Sequence, residues 1–92
     1  MYKAQVELLN ETGLHARPAS LFVAAAKKYQ ANIAVLKDGE EYDAKSILSV
    51  LSMGAYKGDI LTISAVGDDE QEAVNELKGL IDDNFGEREG SH

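Results

Sequence analysis

Residues 2–9 alternate: Tyr2, Ala4, Val6 and Leu8 share one face, and Lys3, Gln5 and Glu7 the other. A period of two marks a half-buried strand. Asn10-Glu11-Thr12-Gly13 is turn chemistry, and beyond it the period changes. Ala19, Phe22, Val23 and Ala26 recur at i, i+3, i+4 and i+7, which predicts an amphipathic helix ending near Lys28. Pro18 is tolerated in a first turn, where its missing N–H matters little, so that helix begins close to His15 or Ala16. Residues 32–37, with Ile33, Val35 and Leu36, predict a second strand. Asp38-Gly39 is a two-residue hairpin signal that returns the chain through residues 40–44 as a third. Ser46 is a good N-cap for a short helix over residues 47–52, with Gly54 as its stop. Lys57-Gly58-Asp59 reads as a turn and residues 60–66 as a β-branched fourth strand. Asp69, followed three residues later by Glu72, has the pattern of an N-cap and capping box. Ala73, Val74, Leu77, Leu80 and Ile81 then follow at helical spacing, in a helix that closes near Gly86.

The order β-α-β-β-α-β-α contains no linker, repeat or low-complexity stretch. It predicts an α+β domain, with three helices on one face of a mostly antiparallel sheet. Phe22, Val23, Leu77, Leu80 and Ile81 are its expected core on the helical side. Ninety-two residues suit one domain, read as residues 1–86. Residues 87–92 have no apolar content and read as a frayed tail, whose Gly-Ser-His end looks like an expression remnant. The chain has no cysteine, so disulfides, thiol chemistry and cysteine-based zinc sites are excluded. Two histidines are too few for a dedicated transition-metal site. No apolar run reaches the ~18–20 residues of a membrane span, and the N-terminus does not read as a signal peptide.

The net charge of −7 argues against nucleic acid or anionic lipid as a partner. Its placement qualifies that picture. Residues 68–92 hold nine of the sixteen acids against Lys78 and Arg88, so the whole imbalance lies there. Residues 12–37 contain Arg17, Lys27, Lys28 and Lys37 and no acid.

The densest chemistry lies in the acid-free segment, at Gly13-Leu14-His15-Ala16-Arg17-Pro18-Ala19-Ser20. His15 sits between a glycine turn and a helix whose start Pro18 restricts. A first helical turn presents free backbone N–H groups and the positive end of the helix dipole. An anion attached to the imidazole would lie over those donors, beside the permanent charge of Arg17. The dipole contributes only about 0.3–1 kcal/mol, so Arg17 and direct N–H bonds must supply much of the affinity. There is no nearby carboxylate base, and no Gly-rich loop ending in Lys-Ser/Thr to hold a nucleotide. Such a layout suits a phosphoryl carrier.

This octapeptide resembles the active-site motif of the HPr family, the histidine-containing phosphocarriers of the bacterial phosphoenolpyruvate:sugar phosphotransferase system. Lys45-Ser46-Ile47-Leu48-Ser49-Val50-Leu51-Ser52-Met53-Gly54 resembles the family's second signature. The order and spacing of the two agree with the family, over roughly residues 1–86. The resemblance implies an open-faced β-sandwich, a four-stranded antiparallel sheet covered on one face by three helices. It implies a cytoplasmic carrier with a phosphohistidine intermediate, not an enzyme, and with no cofactor. Enzyme I would take its phosphoryl group from phosphoenolpyruvate and pass it to Nδ1 of His15. The carrier would then give it to the IIA domain of a sugar permease. Arg17 would stabilise the group in transit, Ala16 would offer its backbone N–H, and Pro18 would fix the helix start.

Ser46 carries a second implication. In Gram-positive members a dedicated ATP-dependent HPr kinase/phosphorylase modifies the matching serine, and a catabolite-control transcription regulator reads it. A phosphate there would add about −1.5 to −2 charges at a helix N-terminus, which tolerates them. The surface would change sign while the helix stayed in place.

The short helix after Ser46 is too apolar for one buried stripe, so Ile47, Leu48 and Leu51 are expected to form a docking patch. Ser20, Ala24 and Lys27 would extend it along the first helix. Some family members have a lysine in place of Ala24, which weakens that contact here. An acidic partner would meet Arg17, Lys27, Lys45 and Lys57 as a basic rim, and a monomer suits such a diffusing carrier. Three alternatives stay open. A regulatory paralogue acting mainly through phosphorylated Ser46 is disfavoured by His15, which the known regulator of that kind lacks. A nitrogen-branch carrier is disfavoured by the sugar-type Ser46 region. A small α+β acylphosphatase-like enzyme would want a phosphate-cradling loop, and Gly13 stands alone.

Overall fold

The two periodicities resolve into β1 (Tyr2–Glu7), α1 (Ala16–Lys27), β2 (Asn32–Lys37), β3 (Glu40–Asp43), α2 (Ile47–Ser52), β4 (Ile60–Val66) and α3 (Glu70–Asp82). The computed structural model describes residues 1–86; the expected tail at residues 87–92 lies outside the described residues. The strands form one antiparallel sheet in the order β1-β4-β2-β3. Tyr2 faces Ala65 and Glu7 faces Ile60 across the β1–β4 pair, and Leu36 faces Thr62 across β2–β4. The hairpin turns at Asp38-Gly39, both at positive φ (51° and 82°), the backbone that a two-residue primed turn requires.

Val6, Ile33, Val35, Leu61 and Ile63 point inward from the strands under the helices. Phe22, Val23, Leu77 and Ile81 are buried as expected, whereas Leu80 is only partly buried at the edge of the core. Among the described residues no helix covers the opposite sheet face, where Ile60 and Val66 are about half exposed. The sandwich is therefore open on that side.

Two local expectations fail for physical reasons. The last helix stops at Asp82 rather than Gly86, because Asn84 and Phe85 take positive φ (53° and 56°). The resulting turn folds the Phe85 ring into the core. Asp69 does stand at the N-cap of α3, but its carboxylate makes no cap bond there. It accepts instead from the backbone N–H groups of Gln30 and Ala31, each at 2.9 Å, and so clamps the α1–β2 connection to the start of α3. Close by, the Tyr29 hydroxyl donates to Glu76, which pushes that hydroxyl up to about 12.

The amide of Gln30, and then that of Ala31, holds the Asp69 carboxyl below the usual carboxylate range. A group with a depressed folded pKa stabilises above its unfolded value of ~3.9 and loses that contribution as pH falls through the folded pKa. Asn cannot accept both bonds equally well, since one of its two terminal groups is a donor. Asp69→Asn is therefore expected to be less stable than the unsubstituted chain in urea at pH 7. The gap should shrink as pH falls from ~4 through the depressed pKa. A gap independent of pH would contradict the clamp.

Candidate functional site

The turn before α1 is built from its own residues. Asn10, buried, donates its side-chain amide to the Gly13 carbonyl at 2.9 Å and to Thr12 Oγ1 at 3.1 Å. Leu14 is fully buried and its N–H donates to the Ala55 carbonyl at 3.1 Å. Gly13, at φ +61°, lies where a Cβ would meet the Ala55 carbonyl and come within 2.8 Å of Tyr56 Cα. His15 thus emerges between an anchored Leu14 and a buried Pro18.

His15 is extended (φ −129°, ψ 158°) and gives α1 no side-chain cap. The first N–H groups of a helix have no intrahelical partner. Ala16 follows at φ +52°, a left-handed backbone that costs a non-glycine residue about 1–2 kcal/mol. Such strain persists only where the surroundings over-determine it, as Leu14 and Pro18 do here. The imidazole is half-buried, with Nδ1 3.1 Å from the Thr12 carbonyl. A carbonyl only accepts, so this bond places the ring proton on Nδ1. One face of the ring stacks on Tyr56, with centroids 5.2 Å apart and planes at 25°. Arg17 is exposed, and its Nη1 donates to the Phe85 carbonyl at 3.3 Å. Among the described residues neither His15 nor Arg17 is tied to a carboxylate.

Arg17, Ser20, Ala24 and Lys27 form one exposed stripe along α1. Beside α1 packs α2, where Ser46 Oγ accepts from the Ser49 N–H at 3.2 Å, the expected cap. Val50 and Met53 are buried, while Leu48 is 77% exposed and Ile47 and Leu51 are 39% and 38% exposed. These three apolar side chains are therefore presented to solvent together.

The basic rim is smaller than expected. Lys45 is half-buried and donates to the Tyr29 carbonyl at 2.6 Å, beyond the C-terminal end of α1. Twelve helical residues separate that end from His15 by roughly 18 Å. Lys57 pairs with Glu11. Arg17 is the cation nearest His15 in the chain, and Lys27 lies at the far end of the stripe.

Three partners of the motif were not anticipated: the Tyr56 ring, the Thr12 carbonyl and the Phe85 carbonyl. The only sequence signal for Tyr56 is an aromatic residue in a polar turn between Gly54 and Gly58. No group of three or more His, Cys, Asp or Glu residues suited to a metal occurs among the described residues, and no described helix is long and apolar enough to cross a membrane.

Both the sequence and the fold of the chain have counterparts among known proteins. Residues 2–83 match the family described as PTS HPr component phosphorylation site. The chain is 45% identical over 82 residues to the phosphocarrier protein HPr of Vibrio cholerae, covering 89% of this chain and 96% of that protein. It is 42% identical to the HPr-like protein Crh of Halalkalibacterium halodurans, covering 89% and 98%. Its fold superposes on the crystal structure of HPr from Thermoanaerobacter tengcongensis with a TM-score of 0.94 at 46% identity, covering 96% of this chain and 99% of that one. With the match running through His15 and across nearly all of the described residues, the chain belongs to the HPr family of phosphocarrier proteins of the phosphotransferase system.

Proposed function

We propose that this chain is the sugar-branch carrier itself, a diffusing cytoplasmic monomer. His15 accepts a phosphoryl group from enzyme I and passes it to the IIA domains of sugar permeases. The observation that carries this reading is a half-exposed imidazole at the uncapped start of α1, with the Arg17 guanidinium two residues on.

For Nδ1 to be the acceptor, the ring proton moves to Nε2 and the imidazole leaves the Thr12 carbonyl. The freed lone pair then forms the N–P bond as the donor's bond to phosphorus breaks, its electron pair returning to the donor. Phosphoryl oxygens above the helix start meet free N–H groups, including that of Ala16, and a dipole of the right sign. Arg17 exchanges a neutral carbonyl at Phe85 for a charged acceptor, and charge-assisted hydrogen bonds are about twice as strong as neutral ones. Pro18 keeps this first turn from extending backwards. Ile47, Leu48 and Leu51, with the Ser20, Ala24 and Lys27 stripe, supply the apolar and polar contacts for both partners.

The regulatory arm rests on Ser46. Its half-buried hydroxyl already faces the α2 N-terminus, and α2 has no acid in its first turn. Phosphorylation by an HPr kinase/phosphorylase would set about −1.5 to −2 charges beside the Ile47–Leu48–Leu51 patch, hindering acidic partners. A catabolite-control regulator could read the same charge. A site that keeps His15 gives the regulatory-paralogue reading no support, and the sugar-type region around Ser46 is what weighs against the nitrogen branch.

Incubation with enzyme I, magnesium and phosphoenolpyruvate tests the carrier reading. An acid-labile, base-stable adduct that mass mapping assigns to His15 is expected, and its absence or assignment elsewhere ends the reading. The same mapping after incubation with the kinase and ATP reports on Ser46; an unmodified serine removes the regulatory arm alone.

A further inference from the structure

Tyr56 belongs to neither motif, and 60% of it is exposed, so it adds little to the core. Its ring instead lies on the imidazole of His15. The two residues are held together through backbone. Leu14 N–H donates to the Ala55 carbonyl at 3.1 Å, Tyr56 N–H to Asp59 Oδ2 at 2.8 Å, and Asp59 N–H to the Tyr56 carbonyl at 3.0 Å. Gly13 leaves no Cβ between the segments. None of these contacts uses the Tyr56 side chain, so its removal leaves the frame intact.

We infer that Tyr56 is a positioning residue for His15: its face holds the imidazole plane and stabilises the positive charge the ring gains as it takes the phosphoryl group. The inference rests on the carrier reading. When the lone pair of a neutral imidazole forms the N–P bond, the other ring nitrogen still carries its proton. The ring thus becomes a phosphoimidazolium, and the donor recovers the pair from its broken bond. An aromatic face attracts a cation, and the attraction grows along this step, so it lowers the barrier rather than tightening the resting complex. At a site this open the gain is about two- to fivefold in rate. The phenol hydroxyl has no part in it.

Single-turnover transfer from enzyme I should be compared for the unsubstituted chain, Tyr56→Ala and Tyr56→Phe, alongside the His15 ring-proton resonances of the unphosphorylated proteins. Tyr56→Ala is expected to lower the maximal rate about two- to fivefold with the half-saturating enzyme I concentration unchanged. It should also move the His15 resonances downfield as ring-current shielding is lost. Tyr56→Phe should restore both. Tyr56→Ala transferring at the unsubstituted rate overturns the positioning role, as does a change confined to the half-saturating concentration, which marks a docking contact. If the unsubstituted chain accepts no phosphoryl group, the carrier reading falls and this role falls with it.

Discussion

Arg17→Ala is expected to slow phosphoryl transfer to His15 by about 10²–10³-fold, the range for removing a preorganised donor from developing negative charge. Arg17 is exposed, and its one described bond is to the Phe85 carbonyl at 3.3 Å, which water can replace. Exposed substitutions away from structural features usually change stability by less than ~0.5 kcal/mol, so the thermal midpoint should move by no more than about 4 °C. The dipole at the start of α1 contributes too little to mask the loss, about 0.3–1 kcal/mol. Arg17→Lys should fall between the two, since it restores a charge but not the planar fork. Rates would be read at saturating enzyme I, and midpoints by circular dichroism. A loss of rate matched by a large loss of stability would mean that Arg17 holds the fold through Phe85 instead of serving the group in transit.

The residues that made the site legible are contiguous. His15, Arg17 and Pro18 fall within one octapeptide, and Ser46 caps α2 through a bond spanning three residues. Strand periods and the Asp38-Gly39 turn are likewise local, so β1, β2, β4 and the hairpin lie close to where the pattern places them. What escaped is tertiary. The Arg17–Phe85 bond spans 68 residues, and Phe85 sits in a turn past the end of α3 that the helical period does not foretell. Asp69 has the local signature of a capping box, yet its carboxylate is engaged by Gln30 and Ala31 across the fold. A period or a motif reports which N–H groups are near in sequence; it carries no information about those brought near by packing. Lys45 shows the same limit for charge, because a basic residue counted toward the working face is used to hold the Tyr29 carbonyl.

Gly13→Ala should be the most damaging of these substitutions to stability, because two independent penalties meet at one position. At φ +61° a side chain costs about 1–2 kcal/mol by itself. The added Cβ would also run into the Ala55 carbonyl and approach Tyr56 Cα to 2.8 Å, and both obstacles are backbone, which no rotamer change relieves. The chain can make room only by separating residues 13–15 from residues 55–56. That opens the Leu14–Ala55 hydrogen bond at 3.1 Å, lifts the fully buried Leu14 and breaks the His15–Tyr56 stack. A total of about 3 kcal/mol or more is expected, lowering the melting midpoint by at least ~12 °C. Gly39→Ala is the matched comparison. Gly39 has φ +82°, but nothing lies within 4 Å of its would-be Cβ, so only the conformational penalty remains. Urea denaturation of both variants separates the two terms. If Gly13→Ala is no worse than Gly39→Ala, the close approach of the two segments is not what holds His15 in place. If it is worse, and phosphoryl acceptance falls with it among molecules that remain folded, then the glycine that opens the motif acts on His15 through the loop carrying Tyr56.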